Sequence, residues 1–156
     1  MAFDIFLKLT DGANVLIKGE SVVKGHENEI EVQSFSWGES RDAGVTDPQE
    51  MAFVTPVSVA SPTIARLCAD GTPLGTGELT LSAASLKGTT SEVLMIKLAT
   101  VTLGSYQLGA AESDPEMTDR FTLAFEKMEI TKRRQNPDGS IGAGVTETID
   151  FAPPAP

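Results

Sequence analysis

Short apolar runs with a strand-like composition recur along the whole sequence, and they constrain the fold more than any other feature. Turn-forming residues (Gly, Pro, Asn and Asp) separate these runs. Strands at such spacing are typical of all-β sandwiches and barrels rather than of alternating βαβ units. We expect strands in the ranges 3–9, 14–23, 29–37, 51–59, 77–85, 92–110, 119–133 and 145–151.

One segment between the predicted strands has the pattern of a helix. In SPTIARLCADG, Ser61 can cap the first turn, Pro62 suits the first helical position, and Gly71 suits the C-terminal end. Three residues at positions i, i+3 and i+4 form one apolar stripe, namely Ile64, Leu67 and Cys68. The sequence therefore predicts an all-β fold, a β-barrel of two antiparallel sheets, with one short α-helix near 62–70.

The size and charge of the chain limit the classes of protein to which it can belong. Its 156 residues fit one domain, which we place at 1–152, followed by a flexible tail at 153–156. A net charge of −10 disfavours nucleic-acid binding, which needs a positive surface. No stretch approaches the ~18 apolar residues of a membrane span, and the opening residues lack the basic leader of a signal peptide. We expect a protein made in the cytosol and not inserted in a membrane.

Residues that could support catalysis are few. His26 lies beside Glu27 and Glu29, and a carboxylate can hold a histidine as a general base. The sequence has no second histidine and no nucleophilic serine motif, so we interpret His26 as a polar loop residue. Cys68 is the only cysteine, which excludes an internal disulfide, and its place on the helical stripe indicates a small core residue.

Loops that could bind phosphate or a metal ion do not match the known patterns. The glycines of GTPLGTGELT (71–80) and GSIGAGVTE (139–147) do not fit a phosphate-binding loop, and we interpret both as turns. The acidic loop ESDPEMTD (112–119) lacks the frame of a calcium-binding loop. The sequence therefore predicts no catalytic residue, no cofactor and no metal site, and a protein that is not an enzyme.

The segment FTLAFEKMEI (121–130) changes the face on which its apolar residues lie. Because the side chains of a strand alternate between two faces, Phe121, Leu123 and Phe125 share one face, whereas Met128 and Ile130 fall on the other. A β-bulge could bring both sets into one core. Alternatively, another subunit could cover the second face.

The same change of face occurs elsewhere in the chain. In EIEVQSFSWG, Ile30 and Val32 share one face and Phe35 and Trp37 the other, and the range 92–110 is apolar on both faces in places. Three such segments, with one helix to cover a sheet, favour an oligomer interface. The candidate interface residues are Phe35, Trp37, Met128 and Ile130.

Several stretches carry a resemblance that covers nearly the whole chain in order. They are MAFDIFLKL, GHENEIEVQSFSWG, SPTIARLCADG, ATVTLGSYQLG, DRFTLAFEKMEITKR and VTETIDF. Together they resemble the haemolysin-coregulated protein (Hcp) family of the bacterial type VI secretion system. The resemblance implies a β-barrel with one helix, rings of six copies, and rings stacked into a hollow tube. It also implies a spike protein at the tip, effector proteins in the lumen, a surrounding sheath, and export from the cytoplasm to the outside without a signal peptide.

Ring stacking has two sets of candidate residues. By its position, the loop 39–50 matches the extended loop through which the rings of the family contact each other. Separately, acidic residues precede the predicted strand 119–133 and basic residues end it. At ~3.3 Å per residue, about a dozen residues would place these charges roughly 40 Å apart, at opposite ends of the barrel. The candidates are Arg41, Asp42 and Asp47 in the loop, Glu112, Asp114 and Glu116 before the strand, and Lys132, Arg133 and Arg134 at its end.

Two other functions remain open on the sequence alone. A contractile phage tail-tube protein would have a related fold. A ligand-binding or hydrolytic β-barrel would need an open cavity lined by converging polar groups, and the sequence shows no such cluster. The number of copies in solution separates this last class from the tube proteins.

Overall fold

The structure is a computed structural model that describes residues 3–42, 45–48, 50–84, 90–113, 115–138 and 140–151. The predicted tail at 153–156 lies outside these residues. The helix in the described ranges is α1 (Ser61–Asp70). The strands are β1 (Phe3–Leu9), β2 (Ile30–Val32), β3 (Ser34–Ser36), β4 (Glu39–Asp42), β5 (Val45–Pro48), β6 (Met51–Pro56), β7 (Thr76–Ala84), β8 (Thr90–Ala99), β9 (Thr102–Gly109), β10 (Thr118–Ala124), β11 (Lys127–Gln135) and β12 (Ile141–Asp150).

The strands form two main antiparallel sheets. The six-stranded sheet has the order β12-β11-β8-β7-β1-β2, and the four-stranded sheet has the order β3-β6-β10-β9. A separate hairpin pairs β4 with β5. No ladder of hydrogen bonds joins the two sheets into one closed barrel within the described ranges. The all-β prediction with one helix is confirmed, whereas the barrel is, in the described part of the chain, a pair of sheets around a shared core.

The predicted strand at 119–133 is two strands that lie in different sheets. β10 belongs to the four-stranded sheet and β11 to the six-stranded sheet, and the chain crosses between them at Phe125 and Glu126. On either side of the crossing, Phe121, Leu123 and Met128 are at most 1% exposed, and all belong to one core. The apolar residues shift from odd-numbered to even-numbered positions because the chain turns a corner between two sheets that enclose the same core.

Two other predicted strands divide in the same way. Ile30 and Val32 lie in β2 of the six-stranded sheet, whereas Phe35 lies in β3 of the four-stranded sheet. The range 92–110 divides into β8 and β9, and between them Thr100 has a φ of 56°. All three changes of face therefore have an explanation inside one chain, and the expectation that they mark a subunit interface is not needed to account for them.

The helix has the predicted extent but a different cap. Its N-cap is Ala60, with no side-chain capping hydrogen bond, so the prediction that Ser61 caps the first turn is wrong. Gly71 ends the helix in the left-handed conformation, with a φ of 67°, and its N–H bonds the carbonyl of Cys68. Ile64 and Leu67 are buried in the core, and Cys68 is partly buried against it. The apolar stripe is confirmed.

The predicted strand at 14–23 is not formed. Its one contact of the strand type is an isolated bridge between Thr10 and Leu16. The residues that follow, 17–29, form an irregular segment that folds back on itself, since Gly19 N–H bonds the carbonyl of Asn28 at 2.7 Å. A Cβ atom on Gly19 would lie 2.5 Å from the carbonyl oxygen of Glu29, so this close approach requires glycine. We call residues 17–29 the cover segment.

Candidate functional site

The described residues hold no arrangement of side chains suited to metal chemistry. No group of three or more His, Cys, Asp or Glu residues within the described ranges is placed to hold a metal ion. In the same ranges, no helix is long and apolar enough to cross a membrane.

A buried carboxylate near the helix, that of Asp119, connects neighbouring elements of the fold. Asp119 is 1% exposed and accepts hydrogen bonds from the hydroxyls of Ser61 and, at 2.7 Å, Tyr106. Burial, reinforced by the hydrogen bond to Asp119, raises the pKa of Tyr106 to about 12. At neutral pH the phenol is therefore protonated and acts as a hydrogen-bond donor. These bonds join the start of α1 to β9 and β10. The Ser61 hydroxyl is thus used to fasten the helix rather than to cap it.

His26 is buried, although its position in the sequence indicates a polar loop residue. Its ring stacks on Phe6 with 4.3 Å between ring centroids and 5° between planes. Its Nδ1 lies 3.1 Å from Glu29 Oε1, and its Nε2 lies 3.4 Å from Glu92 Oε1. Glu29 is close to His26 in the sequence, whereas Glu92 is distant in the sequence and contacts His26 only in the folded protein.

The four predicted interface residues have different environments. Met128 is 0% exposed in the protomer, so none of its side chain is available to a second subunit, and its assignment to the interface is wrong. Ile130 is half-buried and packs against the core. Phe35 and Trp37 are likewise half-buried, and the Trp37 ring contacts that of Phe125, with 6.1 Å between ring centroids. These three retain partial exposure at the rim of the core, where the interface prediction is not tested.

The predicted loop at 39–50 is mainly the β4–β5 hairpin. Arg41 is exposed on β4, where it pairs with Thr46. Asp42 and Asp47 lie in the two strands, but only their backbone is described. The hairpin leaves the four-stranded sheet after β3 and returns to it at β6. It therefore extends from the end of that sheet at which β10 crosses into β11.

The acidic loop lies at the other end of the four-stranded sheet. It connects β9 to β10, so the length of β10, roughly 20 Å, separates it from the hairpin end. Glu112 is exposed, and Glu116 accepts a hydrogen bond from Gln33 Nε2 at 2.8 Å. Asp114 lies outside the described residues.

The basic residues Lys132, Arg133 and Arg134 are exposed on the second half of β11. Their predicted distance from the acidic loop is wrong, because it assumed one straight strand from 119 to 133. Lys132 instead lies level with Val32, the last residue of β2, across four strand spacings or roughly 19 Å. The row of cross-strand pairs runs through Lys132, Leu94, Leu81, Ile5 and Val32. Gln33, which follows Val32, donates a hydrogen bond to Glu116, so the acidic loop and the basic residues are not at opposite ends of the protomer as predicted.

Among the described residues β9 is an edge strand of the four-stranded sheet, and this edge combines two features of a docking surface. Val57 N–H bonds the carbonyl of Met117, and in an antiparallel ladder this fixes which residues of β10 bond β9. Arg120 of β10 and Gln107 of β9 form a hydrogen-bonded pair, so the backbone groups of Gln107 point toward β10. Successive residues of a strand direct their backbone groups to opposite sides, so the N–H of Leu108 points away from β10. The Leu108 side chain is 55% exposed. An apolar side chain and an outward backbone donor therefore lie together on one edge.

The comparisons with known proteins agree on one family. The family described as "Type VI secretion system effector, Hcp" matches residues 6–131, which is most of the chain. The chain belongs to the Hcp family. Protein hcp1 from Pseudomonas aeruginosa is 29% identical to it over 154 residues, covering 92% of this chain and 91% of that protein. The predicted family is therefore confirmed, and this is an Hcp protein of a type VI secretion system.

Solved structures of Hcp proteins share the fold. The crystal structure of Hcp1 from Salmonella typhimurium is 26% identical, covers 97% of this chain and 96% of that chain, and superposes with a TM-score of 0.80. The crystal structure of a type VI secretion system effector from Yersinia pestis is 24% identical, covers 94% and 99%, and has a TM-score of 0.77. The arrangement of two sheets and one helix is therefore that of the Hcp structures.

Proposed function

We propose that this Hcp protein is the tube subunit of a type VI secretion system. Six copies form a ring, the rings stack into a hollow tube, and the tube leaves the cell with effector proteins in its lumen. Membership of the Hcp family supports the secretion-system role. The observation that carries the assembly is the exposed β9 edge, where Leu108 and the outward backbone donors lie together.

Ring formation follows from pairing this edge with a different surface of the next copy. An exposed strand edge binds another chain through main-chain hydrogen bonds, and an exposed apolar side chain adds burial to the contact. When the two contacting surfaces differ, each copy in a pair still carries one unused surface of each kind. The contact can therefore repeat, and it forms a ring when the rotation between neighbouring copies closes. The number six comes from the resemblance to the Hcp family.

Ring stacking would use the two ends of the four-stranded sheet. The β4–β5 hairpin extends from one end and the acidic loop from the other, so Arg41 of one ring can meet Glu112 and Glu116 of the next. Lys132, Arg133 and Arg134 offer a second basic surface to an acidic partner. Each copy carries a net charge of −10, but repulsion between distant charges is screened beyond ~8 Å at physiological salt, whereas charges in contact are screened less.

The remaining roles follow from the tube. The protein would assemble in the cytoplasm, inside the sheath and behind the spike protein, and would reach the outside of the cell with the tube. Nucleic acid and membrane insertion have no part in this role. A structural, non-enzymatic function is supported by the buried Asp119, since its two hydroxyl partners serve to join α1 to the sheet.

The number of copies in solution tests the proposal. Light scattering of the purified protein at tens of micromolar should give the mass of six copies, and electron microscopy of the same sample should show rings. A monomeric mass would contradict the ring. Rings with another number of copies would contradict the number taken from the family but not the edge contact.

A further inference from the structure

We propose that His26 is a proton-dependent clamp that holds the cover segment on the outer face of the six-stranded sheet. The proposal rests on three observations: the stacking of His26 on Phe6, its contacts with two carboxylates from different elements, and its burial. It does not depend on ring or tube assembly.

The position of Phe6 shows what the clamp protects. Phe6 lies between Ile5 and Leu7 in β1, so its side chain points to the outer face of the sheet, away from the main core. It is nevertheless 2% exposed, whereas Val22 in the cover segment is 88% exposed. The cover segment, through the stacked His26 ring, therefore shields an aromatic side chain that would otherwise face water.

The two carboxylates bind His26 from opposite sides of its ring. Glu29, next to β2, approaches Nδ1 at 3.1 Å, and Glu92, on β8, approaches Nε2 at 3.4 Å. The side chain of His26 is 7% exposed, and those of Glu29 and Glu92 are 13% and 40% exposed. The contact with Glu92 links the cover segment to a strand that is 66 residues away in the sequence.

The protonation state decides whether both contacts are favourable. A neutral imidazole has one N–H, and its other nitrogen presents a lone pair, which would repel a carboxylate oxygen. The imidazolium has two N–H groups and can donate to Glu29 and Glu92 at once. A cation stacked on an aromatic face is also favoured. The arrangement around His26 is therefore suited to the charged ring.

The surrounding charges favour a cation as well. The register of the sheet places further charged side chains on the same outer face, and the cover segment contributes its own. These groups are Asp4 and Lys8 on β1, Glu31 on β2, Glu78 on β7, Glu92 and Lys97 on β8, Lys127, Glu129 and Arg133 on β11, Asp150 on β12, and Lys18, Glu20, Lys24, Glu27 and Glu29 in the cover segment. Nine are acids and six are bases, so acids are in excess around His26 and favour its positive charge.

The sign of the pH effect follows from this balance. While the imidazolium is present and both glutamates are ionised, the clamp is closed. As the pH rises and His26 loses its proton, one nitrogen faces a carboxylate without a hydrogen, and the cover segment opens more often.

Hydrogen exchange of the native protein tests the clamp. Backbone amides of residues 17–29 should exchange about tenfold faster at pH 8 than at pH 6 after correction for the intrinsic rate, because a hydrogen bond to a charged group is lost. In Glu92→Gln this difference should fall to within about twofold, because Nε2 no longer has a charged partner. The core strands β7 and β8 provide the internal reference.

Glu27→Gln is a matched control, because it removes the same charge as Glu92→Gln but leaves both glutamate contacts of the His26 ring in place. Glu27 lies in the cover segment, where the backbone N–H of Gly25 donates to its carboxylate at 2.9 Å and lowers its pKa. The charge of His26 acts on Glu27 only as a smaller effect, and the hydrogen bonds given for the described residues do not join Glu27 to the ring. Glu27→Gln should keep the pH dependence of the wild type. An equal pH dependence in wild type and Glu92→Gln, or none in the wild type, would overturn the proposal.

A second readout does not depend on exchange. His26 is the only histidine in the chain, so nitrogen chemical shifts of a histidine-labelled sample report its protonation directly. At pH 7 the imidazolium fraction should be lower in Glu92→Gln than in both the wild type and Glu27→Gln. Equal fractions in Glu92→Gln and the wild type would show that Glu92 does not hold the charged ring.

Discussion

The two halves of β11 have opposite environments. In the first half Met128 is fully buried in the core, whereas in the second half Lys132, Arg133 and Arg134 are exposed. The first half follows a corner between the two sheets, and the second half extends beyond the core toward the β11–β12 turn. The apolar change of face in the sequence is therefore a property of the fold.

The largest effect should come from truncating the core side of the corner. Phe121→Ala should lower the free energy of unfolding by about 3–5 kcal/mol, and Met128→Ala by about 2–5 kcal/mol, because each leaves a cavity in a buried site. Urea denaturation at fixed protein concentration measures both. Val145→Ala is the control, since Val145 is 69% exposed and its loss should change stability by less than about 0.5 kcal/mol. A loss for Met128→Ala no greater than that of the control would contradict its place in the core.

A smaller effect is expected where α1 joins the sheet. The protein has one tyrosine, so its ultraviolet absorbance follows the ionisation of Tyr106, which should occur near pH 12. The raised pKa means that the folded state keeps the proton longer than the unfolded state, so this group stabilises the fold below about pH 10 and loses its contribution as the pH rises toward 12. Asp119→Asn should move the Tyr106 titration to lower pH. Asn keeps the shape of the side chain, so an unchanged titration would show that Asp119 does not raise the pKa.

The smallest effect on the fold should come from the exposed half of β11. Reversal of Lys132, Arg133 and Arg134 to Glu should leave the unfolding midpoint and the rings nearly unchanged, because the three side chains are exposed. The same change should weaken stacking of rings into tubes, which sedimentation and electron microscopy would detect. Arg41→Glu tests the hairpin separately. If the triple variant stacks normally and Arg41→Glu does not, the stacking contact lies on the hairpin alone.

Much of the fold could be predicted from local pattern. The helix was predictable because Pro62, Gly71 and the stripe of Ile64 and Leu67 act within the segment itself. The crossings at Gln33, Thr100 and Phe125 were not, because a corner between sheets has no strong local signal and resembles a long strand with a change of face. A residue such as Thr100 with a positive φ shows the corner only in the structure.

The candidate sites were less predictable because they depend on contacts between distant residues. The pairing of His26 with Glu29 could be suspected from sequence proximity, but Glu92 meets the ring only after β8 takes its place beside β7. In the same way, the exposure of Leu108 follows from the place of β9 at the edge of its sheet. Periodicity gives the faces of a strand and does not tell which strand is at an edge.

The most direct test of the assembly account is the mass of a β9 variant in solution. Leu108→Pro removes the backbone donor that points to the free edge, while Leu108→Ala removes most of the side chain and keeps the donor. Circular dichroism should show a folded chain in both. We expect six copies for the wild type, a monomeric mass for Leu108→Pro, and weakened but detectable rings for Leu108→Ala. A folded Leu108→Pro protein that still sediments as six copies would contradict the role of the β9 edge.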